Sequence, residues 1–180
     1  GIVGAGRIGR AVAAKAPVKL GGTGSGPIVD VPRILQVDLG LPIQLVLGYK
    51  GTADIRLAAE SGELAGACWS WEAIKSTWTK GLESGNVNVV LQALAKPHAD
   101  LPKVPLAISY AKTDEARQLI QVGIHDAADI ARPFVMPPRT PKEHVRTMRE
   151  AFIRTLKDPA FLAEADKSKL EVDPVSGEEL

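Results

Sequence analysis

Two stretches constrain the fold of this chain more than any others: Lys19-Leu20-Gly21-Gly22-Thr23-Gly24-Ser25-Gly26 and Leu47-Gly48-Tyr49-Lys50-Gly51-Thr52-Ala53-Asp54. Each is a short apolar run that opens into glycines and hydroxyls and then into a helical pattern. A strand ending in such a turn leaves the first backbone N–H groups of the next helix unpaired and aimed at one place. The positive end of the helix dipole makes that place an anion site. Two such turns predict a protein that holds a small carboxylate or phosphate with its backbone. The candidate ligand-binding residues are Thr23, Gly24, Ser25 and Gly26 in the first turn and Gly51, Thr52, Ala53 and Asp54 in the second. The plainer alternative is a pair of tight turns with ordinary capping, in which Asp54 stabilises its helix dipole and touches no anion.

Strand and helix patterns alternate around these turns. Strands are expected at 17–20, 43–47, 64–69 and 87–93, and helices at 28–39, 52–60, 71–78 and 113–122. Ser70 and Thr113 are placed as N-caps. Pro32 is tolerable only if it falls in a first turn. Repeated βα units point to an α/β fold on an open, largely parallel sheet. At 130–138 the pattern changes to a proline-bound extended segment that cannot be helical. Thr140-Pro141-Lys142-Glu143 then reads as a capping box with proline in the first helical position. The following helix sets Val145, Met148, Phe152 and Leu156 on one face, and Asp158-Pro159 opens a second helix with Phe161 and Leu162.

Composition excludes several classes. A net charge of +1 gives no reason to expect nucleic acid. No apolar run reaches the length of a membrane span, so direct membrane insertion is not expected. The single cysteine, Cys68, rules out an internal disulfide and a cysteine-rich zinc site. His98, His125 and His144 lie far apart and show no metal-ligand spacing, so no metal and no cofactor is expected. Ser25 is not in a GxSxG elbow, and the sequence suggests no histidine–acid partner for it.

Gly4-Ala5-Gly6-Arg7-Ile8-Gly9 matches the dinucleotide fingerprint and leaves an NAD(P)-dependent oxidoreductase as the rival reading. The acidic residue that should end the next strand is absent, because that strand runs into Gly21-Gly22. Trp69, beside Ala65, Gly66 and Ala67, is the candidate pocket wall. Of Trp71 and Trp78, seven apart on one helix face, one or both read as core, and Glu72 as a dipole partner in a first turn. Arg139, Lys142, Arg146 and Arg149 form a basic helix start and face, either solvated or a docking patch.

In order and spacing these pieces resemble the receptor component of the tripartite tricarboxylate transporters, the Bug family of solute-binding proteins. The resemblance runs over 18–180. It rests on Lys19-Leu20-Gly21-Gly22-Thr23-Gly24, Val31-Pro32-Arg33-Ile34-Leu35, Gly48-Tyr49-Lys50-Gly51-Thr52-Ala53-Asp54-Ile55-Arg56, Ala131-Arg132-Pro133-Phe134, Leu156-Lys157-Asp158-Pro159 with Phe161-Leu162, and Asp173-Pro174-Val175-Ser176-Gly177. It implies a non-enzymatic, periplasmic receptor of the type II binding-protein (flytrap) class, which captures a small carboxylate between two lobes and delivers it to membrane transporter subunits. On that reading residues 1–17 are a lead-in and lobe crossover, 18–130 the ligand-binding second lobe, and 131–180 a return segment of the first lobe. Most of the first lobe would then lie outside this sequence. The opening Gly1-Ile2-Val3 and the capping box Ser176-Gly177-Glu178-Glu179 also suggest a chain cut at both ends. The polypeptide alone is accordingly expected to bind carboxylates weakly and to associate. Pro27 departs from the family's small hydroxyl residue and removes one N–H from the first turn.

Overall fold

The computed structural model describes the backbone of residues 2–4 and the residues 17–129, 133–168 and 170–179. The chain divides between Ala127 and Ala128 into two compact units. The first holds strands β1 (Ile2–Gly4), β2 (Val18–Gly21), β3 (Ile43–Val46), β4 (Gly66–Cys68) and β5 (Asn88–Leu91). Its helices are α1 (Pro27–Leu39), α2 (Thr52–Glu60), α3 (Trp71–Thr77), α4 (Thr79–Glu83) and α5 (Asp114–Ile120). The second holds α6 (Lys142–Leu156) and α7 (Pro159–Lys167).

The strands form one mixed sheet in the order β3-β2-β4-β1-β5. β2 is parallel to both β3 and β4. β1 runs antiparallel to β4 and β5. Alternation along the central strands sorts side chains to two faces, as the pleat demands. Leu20 and Cys68 point into a core shared with Leu35, Ile120 and Ile124 of the α1–α5 side. Ala67 points the other way, into a core with Ile55, Ile74 and Trp78 of the α2–α3 side. The first unit is therefore an α/β sheet with helices on both faces.

Local signals explain most boundaries. Ser70 and Thr113 cap their helices through bonds from Ala73 N and Ala116 N. Gly40, with φ 62°, ends α1 in the left-handed conformation that glycine adopts without strain. α5 continues through a π-helical turn over Gln121–Asp126.

Three expectations are corrected, and one further element is present. Pro32 lies in the second turn of α1, not the first. Its ring is fully buried, and that apolar burial holds the helix through a missing N–H. The expected helix over 71–78 is two short helices, because Trp78 turns into the core with φ −122° and interrupts the helical backbone. A 3-10 turn forms over Ala107–Tyr110, packed on the bridge between Gln92 and Leu106. The capping box at Thr140 does not form: the Thr140 hydroxyl donates to Pro137 O at 2.7 Å, and Pro141 occupies the N-cap of α6. The box at Ser176 does form, with Ser176 N to Glu179 Oε2 at 2.8 Å and Glu179 N to Ser176 Oγ at 3.3 Å.

Candidate functional site

Parallel pairing decides where the glycine turns go. In register, Val18 faces Ile43 and Gly21 faces Val46, and the ladder continues one step further through Gly22 N to Val46 O at 2.9 Å. The turns after β2 and β3 therefore leave the sheet side by side at one edge. β4 ends at the same edge, since Leu20 faces Gly66 and Gly21 faces Ala67. Three helix starts, those of α2, α1 and α3, line the carboxyl ends of three adjacent parallel strands. In open α/β sheets ligands bind in the crevice at that edge.

The three starts differ in how their N–H groups are satisfied. α3 is capped by its own Ser70 side chain, whose Oγ accepts from Ala73 N at 3.3 Å, leaving Trp71 N and Glu72 N without partners among the described residues. α1 and α2 begin at Gly26 and Gly51 with no side-chain cap. In α1 the Gly26 carbonyl accepts from both Val29 and Asp30, and Pro27 has no N–H, which leaves Ile28 N without a partner among the described residues. In α2 the first bond is Ile55 N to Gly51 O at 3.3 Å, so Thr52, Ala53 and Asp54 present three N–H groups without partners among the described residues. The second turn is the richer donor, and Pro27 explains the imbalance.

The turns are shaped by backbone need and by space. Gly26 adopts φ 86° with ψ −174°, a conformation open to little but glycine. Gly51 is extended at φ 179°, which any residue can adopt. Side chains added at Gly24, Gly26 or Gly51 would meet nothing within 4 Å, so these turns border open space. The Thr23 hydroxyl donates to Ser25 O at 3.2 Å and braces its turn. Ser25, Ala53 and Asp54 are exposed, and Thr52 is half-buried.

Trp69 does not stand at this edge as an open wall. It is 5% exposed and packs on Trp78 with ring centroids 4.9 Å apart, inside the core beneath α2 and α3. Trp78 is core as expected, and its Nε1 donates to Glu60 Oε1 at 2.8 Å. Trp71, the other of the pair, is half-buried at the start of α3 and packs against the same core. Its Nε1 donates to Asp100 Oδ2 at 2.8 Å, and Lys75 Nζ reaches the same oxygen at 3.1 Å. These donors hold the Asp100 carboxyl below the usual range. The aromatic nearest the third helix start is thus Trp71, pinned from outside its own helix by a partner 29 residues on that no local pattern could reveal.

Two residues of the second turn also escaped the sequence reading. Tyr49 packs on the same core, and its hydroxyl donates to Glu63 Oε1 at 2.6 Å. That bond, with burial and the Glu63 charge, pushes the phenol above its ordinary value. Lys50, exposed beside Gly51, has no ion pair among the described residues and adds a cation next to the α2 start. The signal for both was present in Gly48-Tyr49-Lys50-Gly51, between the apolar strand and the helix.

The remaining sequence candidates fall elsewhere. Cys68 is buried in the first core, and burial raises its thiol pKa. His98 Nδ1 accepts from Asp100 N at 3.0 Å, His125 is buried against Gln121, and His144 is exposed beside Glu143. Gly4 ends β1 opposite Gly66 and Asn88, the first residues of β4 and β5, so it leaves the sheet at the edge opposite the glycine turns. The rest of the fingerprint lies outside the described residues. Lys142, Arg146 and Arg149 line a groove of about 790 Å³ in the second unit that includes none of the turn residues. No helix among the described residues is long and apolar enough to cross a membrane. Comparison of the chain with protein-family models and with curated proteins finds no match.

Proposed function

We propose that the first unit is the ligand-binding lobe of a non-enzymatic solute receptor of the type II binding-protein class, which takes a small carboxylate at the turns after β2 and β3. Residues 131–180 are, on this reading, the return segment of the other lobe. The observation that carries the proposal is the pair of uncapped helix starts on adjacent parallel strands, one strand away from a start that is capped. A carboxylate there accepts from Thr52, Ala53 and Asp54 N–H and from Ile28 N–H, with the Ser25 and Thr52 hydroxyls as further donors. Lys50 adds long-range attraction without a fixed contact. Charge-assisted bonds of this kind are individually worth about 1.5–3 kcal/mol, which suits reversible capture. The resemblance to the Bug receptors supplies the rest of the proposal: a periplasmic location and delivery of the ligand to membrane transporter subunits.

An oxidoreductase built on Gly4, Gly6 and Gly9 finds less support. A dinucleotide fingerprint follows a strand parallel to its neighbours, with a helix packed behind it. Here β1 is antiparallel on both sides.

Calorimetry against di- and tricarboxylates tests the proposal. Ser25→Ala and Thr52→Ala should each weaken binding by about 1–2 kcal/mol, the scale of a lost hydrogen bond to a charged group. Unchanged affinity in both variants, or saturable NAD(H) binding that Gly6→Val abolishes, would remove it.

A further inference from the structure

The second unit carries a feature that the carboxylate site does not use. The 790 Å³ groove runs along α6 and is lined by Lys142, Arg146, Arg149, Arg154 and Lys157, with Val145 and Ile153 as apolar patches between them. Among its described lining residues, only Glu150 and Glu178 carry negative charge. The concentration is local, since the whole chain carries a net charge of +1.

The groove already grips one acidic peptide segment, its own. The reciprocal bonds between Ser176 and Glu179 fold residues 176–179 into a turn. That turn presents the Glu178 carboxylate and the Gly177 carbonyl together, and Arg149 donates to both. One guanidinium thus reads an acidic side chain and a peptide oxygen at once, the fork geometry that makes arginine suited to such segments. Arg146 pairs with Glu150 one turn along at 3.9 Å. Lys142, Arg154 and Lys157 have no carboxylate partner among the described residues. Arg154 and Lys157 suit the negative end of the α6 dipole, but Lys142 sits at its positive end, where a cation gains nothing from the helix.

We propose that this groove is a docking surface for an acidic, amphipathic peptide segment of a partner protein, with the chain's own 176–179 turn as the resident stand-in. Carboxylates of the partner meet Lys142, Arg154 and Lys157, and its aliphatic side chains cover Val145 and Ile153. Val145 and Ile153 are eight residues apart, about 12 Å along a helix, a distance spanned by roughly four residues of extended chain. The Glu178 contact makes the turn an internal competitor, so binding is graded by how readily that contact opens.

Fluorescence anisotropy with a labelled peptide of repeating Leu-Glu-Glu triplets tests this on the full chain. Saturable binding that weakens steeply with salt is expected, with none for the Leu-Gln-Gln counterpart. Lys142→Glu and Arg154→Glu, both on exposed positions, should together weaken it by about tenfold or more. Glu178→Gln should tighten it several-fold by freeing Arg149. Circular dichroism melts that match the parent confirm that the variants are folded. The proposal is overturned by equal binding of the Leu-Gln-Gln peptide, or by an affinity indifferent to the charge reversals. It is also overturned if phosphatidylglycerol vesicles bind in a groove-dependent way while the peptide does not, or if sedimentation shows the reversals dissolving a self-associated dimer. None of these outcomes depends on carboxylate binding at the turns of the first unit.

Discussion

The starts of α2 and α3 sit at the same edge of the same sheet, and they are built on opposite principles. α3 spends a serine on its own first turn: Ser70 accepts from Ala73 N, which leaves Trp71 N and Glu72 N as the N–H groups without partners among the described residues. α2 begins at an extended glycine with no side chain to offer, and three N–H groups have no partner among the described residues. Conformation does not demand glycine at position 51, because any residue adopts φ 179°. Nor does packing, because the space around it is open. A stability argument alone would place Ser, Thr or Asp at that cap. The contrast teaches that an omitted cap is a functional signal when the conformation would have allowed one. Gly26 is a weaker case, since its φ of 86° gives glycine a structural reason to be there.

Substitutions can break or sharpen that contrast. The largest expected change in stability is at Gly26→Ala, which forces a side chain into a glycine-only region and should cost about 1–3 kcal/mol in urea unfolding. Gly51→Ala should cost far less, and equal losses at the two positions would erase the distinction between them. Next is Ser70→Ala, expected to cost about 1 kcal/mol of stability while leaving carboxylate affinity unchanged. A loss of affinity there would mean that the α3 start belongs to the site. Gly51→Asp is the sharpest variant. It should raise stability by a few tenths of a kcal/mol by supplying the missing cap, and it should abolish carboxylate binding by occupying the same N–H groups.

The smallest expected effect lies at the far end of α1. The Oδ2 atom of Asp38 is buried without a partner among the described residues, and desolvation, together with the charge of Glu115, raises its pKa. A raised folded-state carboxyl loses stability as pH rises through its folded pKa, so the penalty is present at neutral pH and absent below the unfolded pKa. Asp38→Asn should therefore melt slightly higher than the parent at neutral pH, and the gap should close as pH falls through the carboxylate range. A gap that grows in acid would reverse the assignment.

Much of the first unit was legible because its signals are local. Short apolar runs ended in glycine, caps stood at Ser70 and Thr113, and α2 matched its expected span, 52–60. What escaped depends on contacts distant in sequence. The partners of Trp71 and Tyr49, Asp100 and Glu63, lie in other segments of the chain. Trp69 and Trp78 bury each other, which neither strand nor helix periodicity foretells. Thr140 is not the cap because α6 begins one residue later, with Pro141 in the N-cap position. In the second unit the apolar period of α6 was equally plain, but periodicity does not say what covers a face. Met148 is 56% exposed, and Phe134 is 82% exposed even though its ring lies 4.8 Å from that of Phe152.

The most direct test of the central claim is an amide-resolved NMR titration of the chain with a dicarboxylate, which reports binding at backbone N–H groups even when affinity is low. Saturable shifts confined to Ile28, Thr52, Ala53 and Asp54 and their turn neighbours, with Ala73 unmoved, are the predicted result. Unmoved amides at Thr52, Ala53 and Asp54, or shifts concentrated at the Ser70-capped start of α3, would contradict it.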